Sequence, residues 1–269
     1  MYESWGVDFV KLDCVFGDHY NVDEITAVSE IINGSPRPIV LSVSPGATTT
    51  TEMGTDVSLM VNMYRVTPNN KDQWGILKNQ FDIARDFAAV GLIGLEGLLG
   101  NTWPDLDVLP FGWLAVPDSK DGAQRRSNLT ATEERTEMTL WSMAKSPLMI
   151  GGDLTKLDFR TFLLLTNPTL LEINSHSSNN MEYHSDAAGV RSWIATGRNG
   201  EIYVALFNLK DGPIDINLNV SYIGTVIPEK HFSNCNGSDL WNSRNTIVNG
   251  GSKARLGGHS CALFVLSCS

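Results

Sequence analysis

In the segment Val10-Lys11-Leu12-Asp13-Cys14 an ammonium and a carboxylate stand two residues apart at the end of an apolar run. Residues i and i+2 of a strand point the same way, so Lys11 and Asp13 share one face at a strand rim. A carboxylate beside a lysine is ionised and fit to act as a nucleophile or an electrostatic stabiliser. The same pair reads equally well as a rim ion pair. Arg65 closes a second apolar run, where a guanidinium can hold ligand hydroxyls, steer a neighbouring carboxylate, or simply face solvent. In Trp103-Pro104-Asp105-Leu106-Asp107, strand alternation puts both carboxylates on one face beside an indole plate of the kind that stacks on a sugar ring. Two such carboxylates can accept hydroxyls or cap the next loop. Trp74, Trp113 and Trp141 read as core. His19, His176, His184, His231 and His259 are scattered, with no H-x-x-H or H-E-x-x-H spacing, and no metal site is expected.

Groups of this kind need a scaffold that brings strand ends together. The first part of the chain alternates apolar runs with amphipathic stretches, the pattern of βα units in a parallel sheet. Five runs read as strands: one ending at Asp13, then residues 38–46, 57–66, 103–109 and 147–153. Helices are expected at 22–32, 72–87 and 132–144, with a further one ending near Leu165. Thr130 and Glu133 form a T-x-x-E capping box at the third. Polar residues at strand C-termini suit a (β/α)₈ barrel, but periodicity alone leaves a doubly wound sheet equally open. After Asn174 the texture changes to short alternating segments separated by Gly, Asn and Asp, the signature of an antiparallel sandwich. The expected division is residues 1–176 and 177–269.

Composition narrows the partners. A formal charge of -10 over 269 residues argues against nucleic acid or an anionic membrane, and a neutral ligand is indifferent to it. No run approaches the roughly 18 apolar residues of a membrane helix. Cys14, Cys235, Cys261 and Cys268 lack metal-ligand spacing, and a disulfide among the last three is plausible with its pairing open. Sequons at Asn33, Asn128, Asn219 and Asn236 point with the cysteines to a secretory history. The opening MYESWGVDFVKLD has neither the basic nor the apolar region of a signal peptide, which reads as a missing start.

Taken in order, VDFVKLDC, IVLSVSPG, MYRV, WPDLDVLPFGWL, MTLWSMAKSPLMIGGDL and LTNPTLLEIN resemble the α-galactosidase (melibiase) family, glycoside hydrolase family 27. The likeness is nearest to the plant branch with β-L-arabinopyranosidase-type members, and it runs from about Gly6 to Asn174. The resemblance implies the C-terminal part of a (β/α)₈ TIM barrel, about strands 4–8, followed by an antiparallel β-sandwich. It implies retaining hydrolysis of terminal α-D-galactosyl or β-L-arabinopyranosyl residues, with no cofactor, by a protein secreted to the cell wall or vacuole. In the family pattern Asp13 matches the nucleophile and Lys11 a sugar contact. Arg65 opens the R-x-x-x-D pattern of the acid/base, and Trp103, Asp105 and Asp107 match its Trp-Asn-Asp-Pro-Asp segment. Ser44 and Ala47 fall where the family sets specificity, with small side chains that imply a roomy pocket.

The departures are as informative. The acid/base position holds Asn69, whose amide has no titratable proton near neutral pH. Asp72, at the start of the next helix, is the alternative acid. Cys14 directly follows the nucleophile position, with no cysteine before it to pair with, and the family's upstream Trp-Asp-Asp segment has no counterpart. The expectation is a weakened hydrolase, with a catalytically inactive galactose-type sugar-binding protein as the alternative.

Overall fold

A computed structural model describes residues 2–45, 48–116, 122–186, 189–219, 226–227, 234–243, 246–247 and 251–269. Ala47 and His231 lie outside them. The chain divides into two compact units. The first comprises Met1–Lys71, Gly75–Pro110 and Lys145–Gly151; the second, Asp72–Trp74, Phe111–Ala144 and Gly152–Ser269.

The first unit is built on parallel strands β1 (Phe9–Phe16), β2 (Val40–Pro45), β3 (Met63–Arg65) and β5 (Gly100–Asp105), neighbours in that order. A short β4 (Leu95–Gly97) pairs antiparallel with β5 at the sheet's far end. Helices α1 (Val22–Asn33), α2 (Thr51–Val57) and α3 (Trp74–Ala89) connect the strands. Helix α1 starts where the Asn21 side chain accepts from the Glu24 N–H at 3.1 Å, with Asp23 and Glu24 complementing the positive end of its dipole. Leu41, Val43 and Tyr64 are fully buried, and the Tyr64 ring meets Phe16 and Phe87, the latter on α3. A Cβ at Gly54 on α2 would lie 2.9 Å from Phe87, so glycine permits this close packing.

Two expected strands come out differently. Residues 57–66 divide into the end of α2, a 3₁₀ turn at Ser58–Met60 and three strand residues. Val57, Val61, Met63, Tyr64 and Val66 are buried while Leu59 in the 3₁₀ turn is exposed, and an apolar run alone does not separate helix from strand. Residues 147–153 supply a single parallel bridge, Leu109 to Ile150, between a proline without an N–H and two glycines.

The second unit carries a six-stranded antiparallel sheet in the order β13-β12-β15-β10-β9-β8: Thr246–Ile247, Cys235–Asp239, Cys261–Cys268, Ile202–Asn208, Val190–Thr196 and Ser178–Ser185. A ribbon of β11 (Ile214–Asn219) and β14 (Gly251–Leu256) makes the other layer of the sandwich, and its Ile216 and Leu256 pack with Ile194, Val204 and Phe264. Helix α4 (Ala131–Met143) contacts β9, β10 and β15, and begins at the capping box of Thr130 and Glu133. It is buried from Thr136 to Met143 with Trp141 fully inside, so it lacks the polar face of a surface helix. Strands β9 and β10 are buried along their whole length, as expected for a sheet covered on both faces. Helices α5 (Phe159–Leu165) and α6 (Pro168–His176) lead into β8, and a hairpin of β6 (Trp113–Ala115) and β7 (Gln124–Arg126) precedes α4. His259 stacks on Trp74 at 4.1 Å between Glu133 and Asp211, a structural use that its spacing did not announce.

Cys235 and Cys268, directly paired residues of β12 and β15, form the disulfide. Cys261 is buried, which pushes its thiol up to about 11, and Cys14 is exposed. The bond closes a loop across a sequence separation of 33. Reduction should therefore cost the second unit about 3–4 kcal/mol. Urea unfolding with and without a reductant checks this, and unchanged midpoints would contradict it.

Candidate active site

The expected site residues of the first unit meet on the sheet through its register. Lys11 pairs with Ser42, Ser42 with Met63, and Met63 with Trp103, forming one row across four strands. One step nearer the strands' C-terminal ends, Arg65 pairs with Asp105. Ser44 lies two residues beyond Ser42 on the alternation of β2, and Asp13 two beyond Lys11, where the β1–β2 register shifts between Leu12 and Phe16 and Cys14 has φ +61°. Five of the candidates thus occupy two adjacent rows of one sheet face, with Asp13 at the point where β1 leaves that register.

Burial divides them. Lys11 and Asp13 are exposed on β1, which lies at one end of the sheet. Ser44 and Asp105 are buried, Arg65 and Trp103 half-buried. The hydroxyls of Ser42 and Ser44 and the Arg65 Nε make no hydrogen bond to the described residues, so the face retains buried capacity for a polar ligand.

Alternation does not carry on to Asp107. Strand β5 ends at Asp105, and Asp107 has φ +77°, in the left-handed region that is costly away from glycine. The turn swings its carboxylate to the loop after β3. Asp107 Oδ1 lies 3.6 Å from Arg65 Nη1, and Oδ2 accepts from the Asn70 N–H at 2.8 Å. The Asn70 amide donates to the Val108 carbonyl at 2.9 Å. Asn70, unremarked in the sequence, thereby fastens the loop that carries Asn69. Asn69 itself is exposed.

Asp105 is the electrostatically unusual member. Burial pushes its carboxyl up to about 6, partly opposed by the Asp107 N–H and the Lys11 charge. A carboxyl of ordinary value 3.8 when unfolded then binds its proton more tightly in the folded state. Its contribution to stability is greatest below pH 4, falls as pH rises towards 6, and is flat above. The difference amounts to roughly 3 kcal/mol. Asp105→Asn should remove that fall and stabilise the protein at neutral pH. Urea titrations of both proteins between pH 4 and 7.5 test it, and parallel pH curves would contradict it.

Lys145 was also missed. It follows α4 with φ +51°, and its ammonium stands 5.0 Å from the Trp103 ring centroid, within reach of a cation–π attraction. Burial lowers its pKa. Gly94 approaches the same indole so closely that a Cβ would sit 3.0 Å away, so Trp103 is held in place from two sides.

In the second unit, Asp72 is engaged elsewhere. Arg125 grips it through both Nη atoms, Nη2 at 2.8 Å, and the Asn128 N–H donates to it at 2.6 Å. Burial alone would raise its pKa, but Arg125 and the Asn128 N–H outweigh that and lower it. A carboxylate so held carries no proton near neutral pH, which removes Asp72 as the alternative acid.

Comparison with known proteins bears on this arrangement. The family model described as alpha galactosidase A matches residues 1–176, and that of the alpha galactosidase C-terminal beta sandwich domain matches 187–266. An α-galactosidase of Oryza sativa subsp. japonica is 24% identical over 99% of this chain and 58% of its own length. One of Coffea arabica is 26% identical over 99% and 64%. The crystal structure of a family 27 β-L-arabinopyranosidase from Geobacillus stearothermophilus superposes with a TM-score of 0.84 at 30% identity, over 99% of this chain and 59% of that one. The chain thus spans under two-thirds of the length of these relatives. Its parallel strands are part of a (β/α)₈ barrel, followed by the family's β-sandwich. On the match across residues 1–176, this chain belongs to the α-galactosidase (melibiase) family.

Proposed function

We propose that the first unit carries a retaining-type glycosidase site for terminal α-D-galactosyl or β-L-arabinopyranosyl residues, in which the acid/base position is occupied by Asn69. The observation behind this reading is the convergence of Lys11, Ser44, Arg65, Trp103 and Asp105 on one face at the C-terminal ends of consecutive parallel strands, with Asp13 two residues beyond Lys11 on β1. In barrel enzymes that is where substrate binds. Asp13 attacks the anomeric carbon as that carbon's bond to the leaving oxygen breaks, forming a glycosyl ester and releasing the aglycone. Water then cleaves the ester to the free sugar and the Asp13 carboxylate. Lys11 and Ser44 meet sugar hydroxyls, and Trp103 offers an apolar plate. Arg65 and Asp107 together position the loop of Asn69.

Retaining catalysis needs a second carboxyl, roughly 5 Å from the first, to protonate the leaving oxygen. Asn69 cannot supply that proton, and Asp72 is held by Arg125. The site therefore favours aryl leaving groups that depart unprotonated. Incubation with a 2-deoxy-2-fluoro galactosyl or arabinopyranosyl fluoride, followed by peptide mass spectrometry, is the test. A label on Asp13 supports the reading, and a label elsewhere or none overturns it.

The exposed amide at position 69 favours a second reading, a protein that holds galactose-type sugars without turnover. Calorimetric binding of galactose or L-arabinose with no hydrolysis of aryl glycosides would select it. We assign residues 1–176 to the sugar-processing part and 177–269 to the sandwich. The Cys235–Cys268 bond and the exposed sequon residues Asn33, Asn128 and Asn236 support secretion. No helix among the described residues is long and apolar enough to cross a membrane. The charge of -10 favours neutral glycans over nucleic acid as partners of this site.

A further inference from the structure

Two adjoining cavities in the second unit share a wall made by Arg135 of α4 and Trp241. One, of about 300 Å³, reaches Phe159 of α5 and Asn167; the other, of about 180 Å³, reaches Asn242 and Ser260. The larger is within the size range of sites for small ligands.

Trp241 is fastened as a rigid plate. Its indole N–H donates to Thr139 Oγ1 at 3.2 Å, its backbone N–H donates to the buried Asp239 at 2.9 Å, and it is itself half-buried. The Arg135 guanidinium lies over the ring, 5.8 Å from its centroid. The charges around the cavities are unequal. Arg160 is paired with Glu134 at 3.0 Å, and Arg255 with Asp215 at 3.3 Å. Arg135 makes no ion pair and no guanidinium hydrogen bond among the described residues, and it is exposed. Asp239 also lines the smaller cavity, but it is buried and accepts from the Trp241 and Leu263 N–H groups, so the exposed Arg135 guanidinium stays open to an anion. An aromatic plate with amide and hydroxyl groups on either side suits a pyranose ring. Phe159, 74% exposed, adds a second apolar surface at the larger cavity.

We propose that this cleft is a second carbohydrate site, distinct from the strand-end site, which takes an acidic glycan. A uronic-acid ring lies against Trp241 with its carboxylate on Arg135, and neighbouring residues of the same glycan extend into the two cavities. The proposal rests on the reading of the protein as one that handles glycans, and it adds an anchoring contact carried by the second unit.

Calorimetric titration with trigalacturonate and with neutral galactotriose, at low salt, tests it on the unmodified protein and on three variants. Trigalacturonate should bind the unmodified protein and Asp13→Asn alike. Galactotriose at this cleft should bind about tenfold more weakly or worse, as should trigalacturonate to Arg135→Met. Trp241→Ala should abolish binding, and because that change opens a half-buried position, Arg135→Met carries the test if the alanine variant fails to fold. Trigalacturonate binding that is absent, or indifferent to Arg135→Met, overturns the proposal. So does a concentration-dependent dimer in sedimentation that Arg135→Met disrupts, since a second copy would then be what covers the cleft. Loss of binding in Asp13→Asn would show that the glycan occupies the strand-end site instead. Labelling of Asp13 by the fluorosugar is independent of all these outcomes, so the two readings fail separately.

Discussion

Asn69→Asp should raise hydrolysis of a glycoside with a poor leaving group, such as a methyl galactoside, by about 10²-fold or more. Hydrolysis of a dinitrophenyl glycoside should change little, because its leaving group departs without a proton. The selectivity follows from the position. Residue 69 is exposed, and the loop on its C-terminal side is fastened through Asn70 to Asp107 and Val108. A carboxyl placed there is held without being buried. The variant should also acquire an alkaline limb in its pH–rate profile, as the new acid loses its proton. Equal gains on both substrates, or none on either, would show that the acid does not act from position 69.

Asp13→Asn should abolish turnover of the activated aryl glycoside, by at least about 10³-fold, equivalent to roughly 4 kcal/mol of transition-state stabilisation. The side chain is exposed on β1 and the change is isosteric, so the melting temperature should hold. Azide should restore part of the rate by attacking the anomeric carbon in place of the missing carboxylate, and the glycosyl azide should have inverted configuration. Residual hydrolysis near the unmodified rate would remove Asp13 from the mechanism.

The strand-end residues were legible because a period of two is a local property. Lys11 and Asp13 share a face whatever the rest of the chain does, and the runs leading to Asp13, Ser44, Arg65 and Asp105 are apolar in the manner of buried strands. Legibility ended where the backbone left that period. Asp107 turns through a left-handed conformation, so its carboxylate meets Arg65 and Asn70 instead of continuing the row of Asp105. Residues 57–66 were read as one strand because Val57 and Val61 are buried in either conformation. The hold of Arg125 on Asp72 spans 53 residues, and nothing local to either residue announces it. The pairing of Cys235 with Cys268 likewise follows from strand order, which brings β12 beside β15. Asn70 and Lys145 could have been found only through the turns that present them, which no side-chain pattern encodes.

The strand order of the second unit also bears on how the protein is made. Strand β15 lies between β10 and β12, inside the six-stranded sheet, and supplies Phe264 and Leu266 to its core. Until Cys261–Cys268 has left the ribosome, β10 has one open edge and β12 has no neighbour joining it to the rest of the sheet. Much of this unit must therefore wait in the nascent chain, with the apolar runs of β9 and β10 already synthesised and not yet covered. Such segments are natural clients for chaperones. A stop codon at position 261 would leave the sheet split in two, so quality control should reject the product.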